Sequence, residues 1–304
     1  GMDKRKLGRT ELEVSVVGFG AMTIGGMFGP VDDAVSNKAL HAAIDAGMNF
    51  IDSSIGYGDG KSEEVIGRFL KERKDRDQIV ICTKGGSNMT TGERSYDPDY
   101  VQKCAVGSLK RLGVEVIDVY LLHNPALENM KAADSFDLLE KYKEQGKIKS
   151  WGVSVNTVEE CEYAVSNGRP DVLQMEYNVF LQEPAAVFAD GKRENMGVIS
   201  RVPLKRGLFS ERVTEKTQYS QDDRRKSHLG PEKLPDLLIQ RKKIEEVAKS
   251  LGCSLAELAI RFCVSNPDVA TVIPGIRTPE QAKENGVASE LLPEEILEKL
   301  RQIS

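Results

Sequence analysis

Short runs rich in Val, Ile and Leu alternate with amphipathic stretches of helical period from about residue 14 to residue 290, the pattern of repeated strand and helix units. Eight runs read as strands: Val14 to Gly20, Asn49 to Ser53, Ile79 to Lys84, Ile117 to His123, Ser150 to Val155, Val172 to Tyr177, Gly197 to Val202 and Val269 to Pro274. They are apolar on both faces, which predicts buried parallel strands.

The helical stretches carry their own start and stop signals. Asp97-Pro98 predicts a cap and first residue, Val101, Cys104, Ala105, Ser108, Leu109 and Leu112 an inner stripe, and Gly113 a stop. Thr157 with Glu160, and Ser254 with Glu257, fit a capping box. Gly168 and Pro170 end the first of these helices and Pro267 the second. Eight strand and helix units in succession predict a (β/α)8 TIM barrel, which often takes about 250 residues as one domain. No linker-like or low-complexity stretch divides the chain, so a single domain over residues 1–304 is expected. The longest irregular stretch, Leu204 to Pro235, follows the seventh strand, and loops of that length are usually functional or mobile.

Composition narrows the function classes. With 40% hydrophobic and 29% charged residues among 304, a sizeable core is available, and a net charge of -5 offers no basic surface to nucleic acid or anionic lipid. Neither partner is expected. Five widely spaced cysteines without a C-x-x-C pair argue against disulfides or a zinc site, so no metal is expected and a reduced, cytoplasmic location fits. No signal pattern and no apolar run of about 18 residues appears. Gly1 ahead of Met2 looks like an expression scar.

In a parallel barrel the carboxyl ends of the strands open on one face, where catalytic residues gather from several strands. Asp52, Lys84 and His123 end the second, third and fourth strands, and Tyr57 lies a few residues past Asp52. Such a set suits reduction of an aldehyde or ketone, in which a hydride reaches carbon and a proton must reach oxygen. Tyr57 is the expected proton donor, with a nearby Lys84 ammonium lowering its pKa. Asp52 would hold Lys84 charged and oriented, and His123 would hydrogen-bond the substrate oxygen.

At these residues the chain resembles the aldo-keto reductase superfamily, NADPH-dependent (β/α)8 barrels with an Asp, Tyr, Lys, His tetrad. The resemblance spans roughly Leu7 to Ser289. It includes Gly18-Phe19-Gly20-Ala21-Met22, Asp52 to Tyr57 with Ser62-Glu63, Thr83-Lys84, Leu121-Leu122-His123-Asn124-Pro125, Gly152-Val153-Ser154-Val155-Asn156 and Ile273 to Gln281. It implies that Ser154, Asn156 and Gln174 bind the nicotinamide carboxamide and that Gly20 and Met22 approach the cofactor, with Asp52 beside it. It also implies that Gly275, Arg277, Gln281, Glu284 and Asn285 hold the adenosine phosphate of NADPH. Independently, Thr278-Pro279 opens a helix whose free N–H groups favour an anion, and Arg277 adds a bidentate charge, which favours NADPH over NADH.

One position departs from the family. Where many relatives stack a tyrosine on the nicotinamide, this chain has Arg201, whose guanidinium can also stack but whose charge beside a cationic nicotinamide is expected to weaken NADP+ and speed its release.

Other readings are blander or belong to other classes. Cys82 reads as core packing, His41 and His228 as exposed, and Gln281 also as the third residue of a capping box with Thr278. Arg224-Arg225-Lys226, balanced by Asp222-Asp223, reads as a solvated face. Gly56 to Ser62 resembles a Walker A loop one residue short, which would suggest an NTPase, against which Ser62 reads as a helix cap. A third class keeps the fold and drops the turnover, as in potassium-channel β subunits that act as NADPH-binding partners. A small carbonyl compound is the expected substrate. Arg94, Lys205, Arg206 and Arg212 would favour polar or anionic carbonyls or hold cofactor phosphates. Oligomeric state and the physiological direction of the reaction are left open by the sequence.

Overall fold

The computed structural model describes residues 2–201 and 234–303. Val202, most of the Leu204 to Pro235 stretch, the cluster around Arg224 and residues Lys205, Arg206, Arg212 and His228 lie outside them. The chain folds as a (β/α)8 barrel. Its strands are β1 (Lys4–Lys6), β2 (Glu13–Ser15), β3 (Phe19–Gly20), β4 (Phe50–Asp52), β5 (Val80–Gly85), β6 (Ile117–His123), β7 (Ile148–Val155), β8 (Val172–Glu176), β9 (Gly197–Arg201) and β10 (Thr271–Ile273).

Strands β3 to β10 form one parallel sheet in sequence order, each neighbour following in the chain. Parallel bridges Val17↔Val272 and Gly20↔Gly275 join its edges, with Gly18 N–H donating to the Val272 carbonyl at 2.7 Å and Gly20 N–H to that of Pro274 at 2.9 Å. The edges thereby close into a barrel. Gly20 is required there by space, because a Cβ at that position would lie 2.8 Å from the carbonyl oxygens of both Ile273 and Pro274.

The expected first strand, Val14 to Gly20, is two elements. Glu13–Ser15 pairs antiparallel with Lys4–Lys6, and only Phe19–Gly20 belongs to the barrel sheet. A continuous apolar run does not reveal that its two halves pair with different partners. Leu7 and Val14 of this hairpin pack with Phe50, Val80, Val172 and Ala270 at the strand starts, so the hairpin plugs the amino-terminal end of the barrel.

Helices follow each barrel strand, and a second apolar layer lies between them and the sheet. Thr157 and Glu160 form the reciprocal capping box, and Gly168 and Gly113 end their helices with left-handed backbone at φ 78° and 67°. Ser254 accepts the Glu257 N–H as its half of a cap. Ser62, by contrast, is not a cap: Gly60 at φ 91° starts the helix Lys61–Lys71, and Ser62 is buried one residue inside it. His41 is half-buried, its ring edge-on to Phe69 at 4.8 Å and hydrogen-bonded to Arg73. Both differ from expectation because the neighbouring helix and strand cover positions that a single-helix pattern leaves open.

Candidate active site

Side chains alternate inward and outward along a strand, so each inward track can be followed from one end of the barrel to the other. The tracks begin apolar: Phe50 on β4, Val80 and Cys82 on β5, Val119 and Leu121 on β6, Val172 on β8, Ile199 on β9. Two residues further along, the same tracks present Asp52, Lys84, His123, Gln174 and Arg201. On β7 the corresponding track runs through Gly152, where a Cβ would meet the Val172 carbonyl oxygen at 1.8 Å, to Ser154. The change from apolar to polar falls at the carboxyl end of every one of these strands.

There the groups converge. Lys84 Nζ donates to Asp52 Oδ2 at 2.7 Å, to the Ser53 carbonyl at 2.9 Å and to Tyr57 OH at 3.0 Å. All three protons of the ammonium are used. Asp52 Oδ1 accepts from Gln174 Nε2 at 2.9 Å, a bond that crosses the barrel interior from β8 to β4. Asp52, Tyr57, Lys84, His123 and Gln174 are all buried. Tyr57 is positioned by the loop after β4, whose Gly58 and Gly60 adopt φ 77° and 91°, and by Gly25, which packs against the Tyr57 backbone so closely that a Cβ would come within 2.6 Å. The His123 ring stands edge-on to Tyr57 with centroids 5.9 Å apart.

Electrostatics sort these groups into roles. Burial works against the Lys84 charge, but Asp52 and then Tyr57 outweigh it and hold the ammonium above the ordinary lysine value. Burial raises the Tyr57 pKa more than Lys84 lowers it, so the net shift is upward; the lowering expected from the sequence is present only as the Lys84 contribution. Tyr57 therefore keeps its proton. Burial first, then Lys84 and Arg201, push His123 well below its ordinary value, against the opposing effect of a hydrogen bond from the ring to the Ser87 backbone carbonyl. The imidazole is neutral.

Three residues around this group, Ser54, Tyr96 and Asn124, carry no signal strong enough to be found in the sequence alone. His123 Nδ1 is hydrogen-bonded to Ser54 Oγ at 3.0 Å, and Ser54 Oγ also accepts the Gly56 N–H. Tyr96 OH donates to the His123 carbonyl at 2.5 Å. Asn124, left-handed at φ 56°, accepts at its Oδ1 from Ser154 Oγ and from Arg201 Nη1. Asn124 stands in the family-like run after His123, and its tolerance of left-handed backbone was the available clue.

The expected cofactor residues divide into two sets. Gln174, Ser154 and Arg201 lie at the mouth with the four residues above. Arg201 donates to the Val155 carbonyl at 2.6 Å and to Asn156 Oδ1 at 2.8 Å, which ties exposed Asn156 to it. Met22 is half-buried ahead of the short helical turn Thr23–Gly25, and Gly20 and Gly275 form the bridge that closes the barrel. Past β10, Thr278 caps the helix Pro279–Val287 by accepting the Gln281 N–H at 3.2 Å. Gln281 Oε1 accepts the Arg277 N–H at 2.8 Å, so its side chain reaches back one residue beyond the capping-box position. The Arg277 guanidinium donates to the carbonyls of Phe28 and Pro30 at 3.3 and 3.2 Å. Glu284 is exposed and Asn285 buried on the same helix.

Two features fit a nicotinamide dinucleotide, one at each end. Gln174 Oε1 is buried without a hydrogen-bond partner among the described residues, an acceptor that a carboxamide N–H would satisfy. Exposed Gly275 leaves the start of the Arg277 turn without a side chain. The Walker-like loop offers no comparable cradle: Ser62 Oγ is turned into the barrel onto Ser53 Oγ and the Ala21 carbonyl, and Lys61 pairs with Asp33. Among the described residues, no group of three His, Cys, Asp or Glu is placed to hold a metal ion, and no helix is long and apolar enough to cross a membrane. Cys82 is buried in the interior cluster.

Comparison with known proteins agrees with this geometry. The model of the Aldo/keto reductase family matches residues 16–304. An uncharacterized oxidoreductase, YqkF of Bacillus subtilis, is 30% identical over 291 residues, covering 93% of this chain and 90% of the relative. The aldo-keto reductase yakc [NADP(+)] of Schizosaccharomyces pombe is 31% identical over 295 residues, covering 92% and 85%. Among solved structures, the holo form of aldo-keto reductase AKR11C1 from Bacillus halodurans superposes with a TM-score of 0.84 at 25% identity, covering 100% of this chain and 97% of the other. Glycerol dehydrogenase AKR11B4 from Gluconobacter oxydans gives 0.83 at 26% identity, covering 99% and 94%.

Proposed function

The chain belongs to the aldo-keto reductase family, and from that premise we propose that it is an NADPH-dependent oxidoreductase that reduces a small aldehyde or ketone, with Tyr57 as the general acid. The observation that carries this reading is the buried Lys84 ammonium bonded at once to Asp52 and to the Tyr57 hydroxyl. When bound, NADPH supplies the hydride.

The chain's own groups manage the proton. Tyr57 holds its hydrogen at neutral pH, as an acid must, and after donation its phenolate lies 3.0 Å from the Lys84 ammonium, which stabilises the charge that has just formed. Asp52 accepts from Lys84 and from Gln174, so the ammonium neither rotates away nor loses its proton. Ser54 Oγ has accepted the Gly56 N–H and is able to give its own hydrogen to His123 Nδ1. That tautomer leaves Nε2–H as a donor for the substrate oxygen. Reduction in this arrangement needs no side chain to change charge before substrate arrives.

Gln174, Ser154 and Asn156 would hold the carboxamide, with the open Gln174 Oε1 as acceptor, and Arg277, Gln281 and the helix start at Thr278 would hold the adenosine phosphate. The S. pombe relative whose name carries NADP(+) supports that choice of cofactor.

The test is loss of NADPH absorbance with a panel of small aldehydes, ketones and glyceraldehyde, run beside Tyr57→Phe. The expected result is turnover in the native protein and a loss of roughly 10²- to 10⁴-fold in the variant, the usual worth of a positioned general acid. NADPH binding without turnover of any carbonyl would replace this reading with that of a cofactor-binding partner subunit.

A further inference from the structure

The cations around His123 do not balance. Asp52 offsets Lys84, but Arg94 and Arg201 remain, and among the described residues neither has a carboxylate within ion-pair distance. Both grip one residue from opposite sides: Arg94 Nη2 donates to the Asn124 carbonyl at 2.9 Å and Arg201 Nη1 to Asn124 Oδ1 at 3.3 Å. Among the described residues their remaining bonds go to neutral partners, Tyr96 OH for Arg94 and the Val155 carbonyl and Asn156 amide for Arg201. Arg201 spends three of its five N–H donors and Arg94 two, so both keep donors in hand. The carboxylates of Glu176, Asp52 and Glu160 act on Arg201 only from a distance.

Arg94 is exposed and Arg201 half-buried, and for Arg201 a guanidinium bonded to neutral groups is a costly arrangement unless an anion completes it. A nicotinamide ring is neutral when reduced and cationic when oxidised, so the reacting end of the cofactor brings no negative charge to this place. Both arginines hold Asn124, the residue after His123, and Arg94 also reaches the Tyr96 hydroxyl that donates to the His123 carbonyl, so both lie beside His123.

We propose that Arg94 and Arg201, braced through Asn124, form an anion clamp beside His123 and select carbonyl substrates that carry a carboxylate or phosphate a few atoms from the reacting carbon. The proposal rests on the carbonyl-reducing reading above. The carbon gains a hydride from the reduced nicotinamide and the oxygen gains the Tyr57 proton, giving a hydroxy acid or hydroxy phosphate and the oxidised nicotinamide. The charge of the clamp is untouched by the reaction.

Matched pairs test it: succinic semialdehyde against butanal, and glyceraldehyde 3-phosphate against glyceraldehyde, in the native protein, Arg94→Gln and Arg201→Gln. The expected native result is a kcat/KM at least about tenfold higher for the charged member of one pair, falling with added salt, and a charged-to-neutral ratio about tenfold lower in each variant. Which pair shows the preference separates carboxylate from phosphate. A native ratio near one, or a ratio that both variants leave unchanged, overturns the clamp while leaving the reductase intact. Should no carbonyl be turned over, the reductase reading fails and calorimetry decides the clamp alone, with butyrate and inorganic phosphate titrated against butyramide. Anion binding weakened in both variants supports it, and no anion binding overturns it.

Discussion

The mouth of the barrel and the turn after β10 differ in how much of their bonding is complete before a ligand arrives. At the mouth, Lys84 has all three ammonium protons committed, Asp52 accepts at both oxygens, and the bonds run through side chains buried in the barrel. Past β10, Arg277 is held by backbone carbonyls of the loop near Phe28 and Pro30, and its neighbours Gln281 and Glu284 are exposed. A phosphate would offer Arg277 charged acceptors in place of the Phe28 and Pro30 carbonyls, a gain because charge-assisted hydrogen bonds are roughly twice as strong as neutral ones. The mouth is built to stay as it is, and the outer turn is built to trade partners.

Removing one member at the mouth should therefore cost fold as well as chemistry. Lys84→Met leaves the Asp52 carboxylate buried beside an apolar chain, and breaking a buried pair this way costs about 3–5 kcal/mol. A clear drop in the denaturation midpoint, together with loss of carbonyl reduction, is expected from thermal or urea melts. An unchanged midpoint would mean that the pair is not the compensated unit described above.

A second way to break the contrast is titration. Tyr57 sits above the ordinary tyrosine value of about 10 and His123 well below the ordinary histidine value of about 6.5, so neither changes charge between those limits. The kcat/KM for reduction should be level across that range and fall tenfold per pH unit only once Tyr57 ionises. For His123 the sign on stability follows from linkage: below about pH 6.5 the unfolded chain takes up a proton that the folded chain refuses, so stability is lost as pH falls. An ultraviolet difference titration of tyrosinate against Tyr57→Phe checks the first half. A tyrosinate at pH 8 would sink it.

The same contrast governs what could be read from the amino acids. The convergence of Asp52, Lys84 and His123 was legible because inward strand tracks change from apolar to polar at one end, a period-two signal that Cys82-Thr83-Lys84 and Leu121-Leu122-His123 carry locally. Capping at Thr157, Gly168 and Thr278 was legible for the same local reason. Partner choice was not. Nothing near Val14 says that it leaves the barrel to pair with Lys4–Lys6, whose three cations disguise a strand, and nothing near Ser62 says that its hydroxyl is claimed by Ser53 and Ala21. The net direction of the Tyr57 shift was misjudged for a related reason: the sequence names the ammonium beside the phenol but not the depth at which both are buried.

Arg277→Ala probes the outer turn, where a smaller and more selective effect is expected. NADPH affinity should fall about tenfold, the order of one partly exposed charged hydrogen bond, while NADH affinity and the denaturation midpoint stay near native. Titration of each nucleotide by fluorescence or calorimetry reads both numbers. Equal losses for NADPH and NADH would place Arg277 in the support of the Phe28 to Pro30 loop and not at the phosphate.

The smallest effect is expected where the two regions meet in function, at Arg201. Its guanidinium is tied to Val155, Asn156 and Asn124, so its charge is fixed near the ring it would face. Arg201→Tyr removes that charge and offers an aromatic face instead, a change worth on the order of 1 kcal/mol, or about fivefold in NADP+ affinity. Tighter NADP+ and slower release of it after turnover are the expected outcomes, read by nucleotide titration and by single-turnover kinetics. If both stay at native values, the expectation that the Arg201 charge weakens NADP+ is wrong.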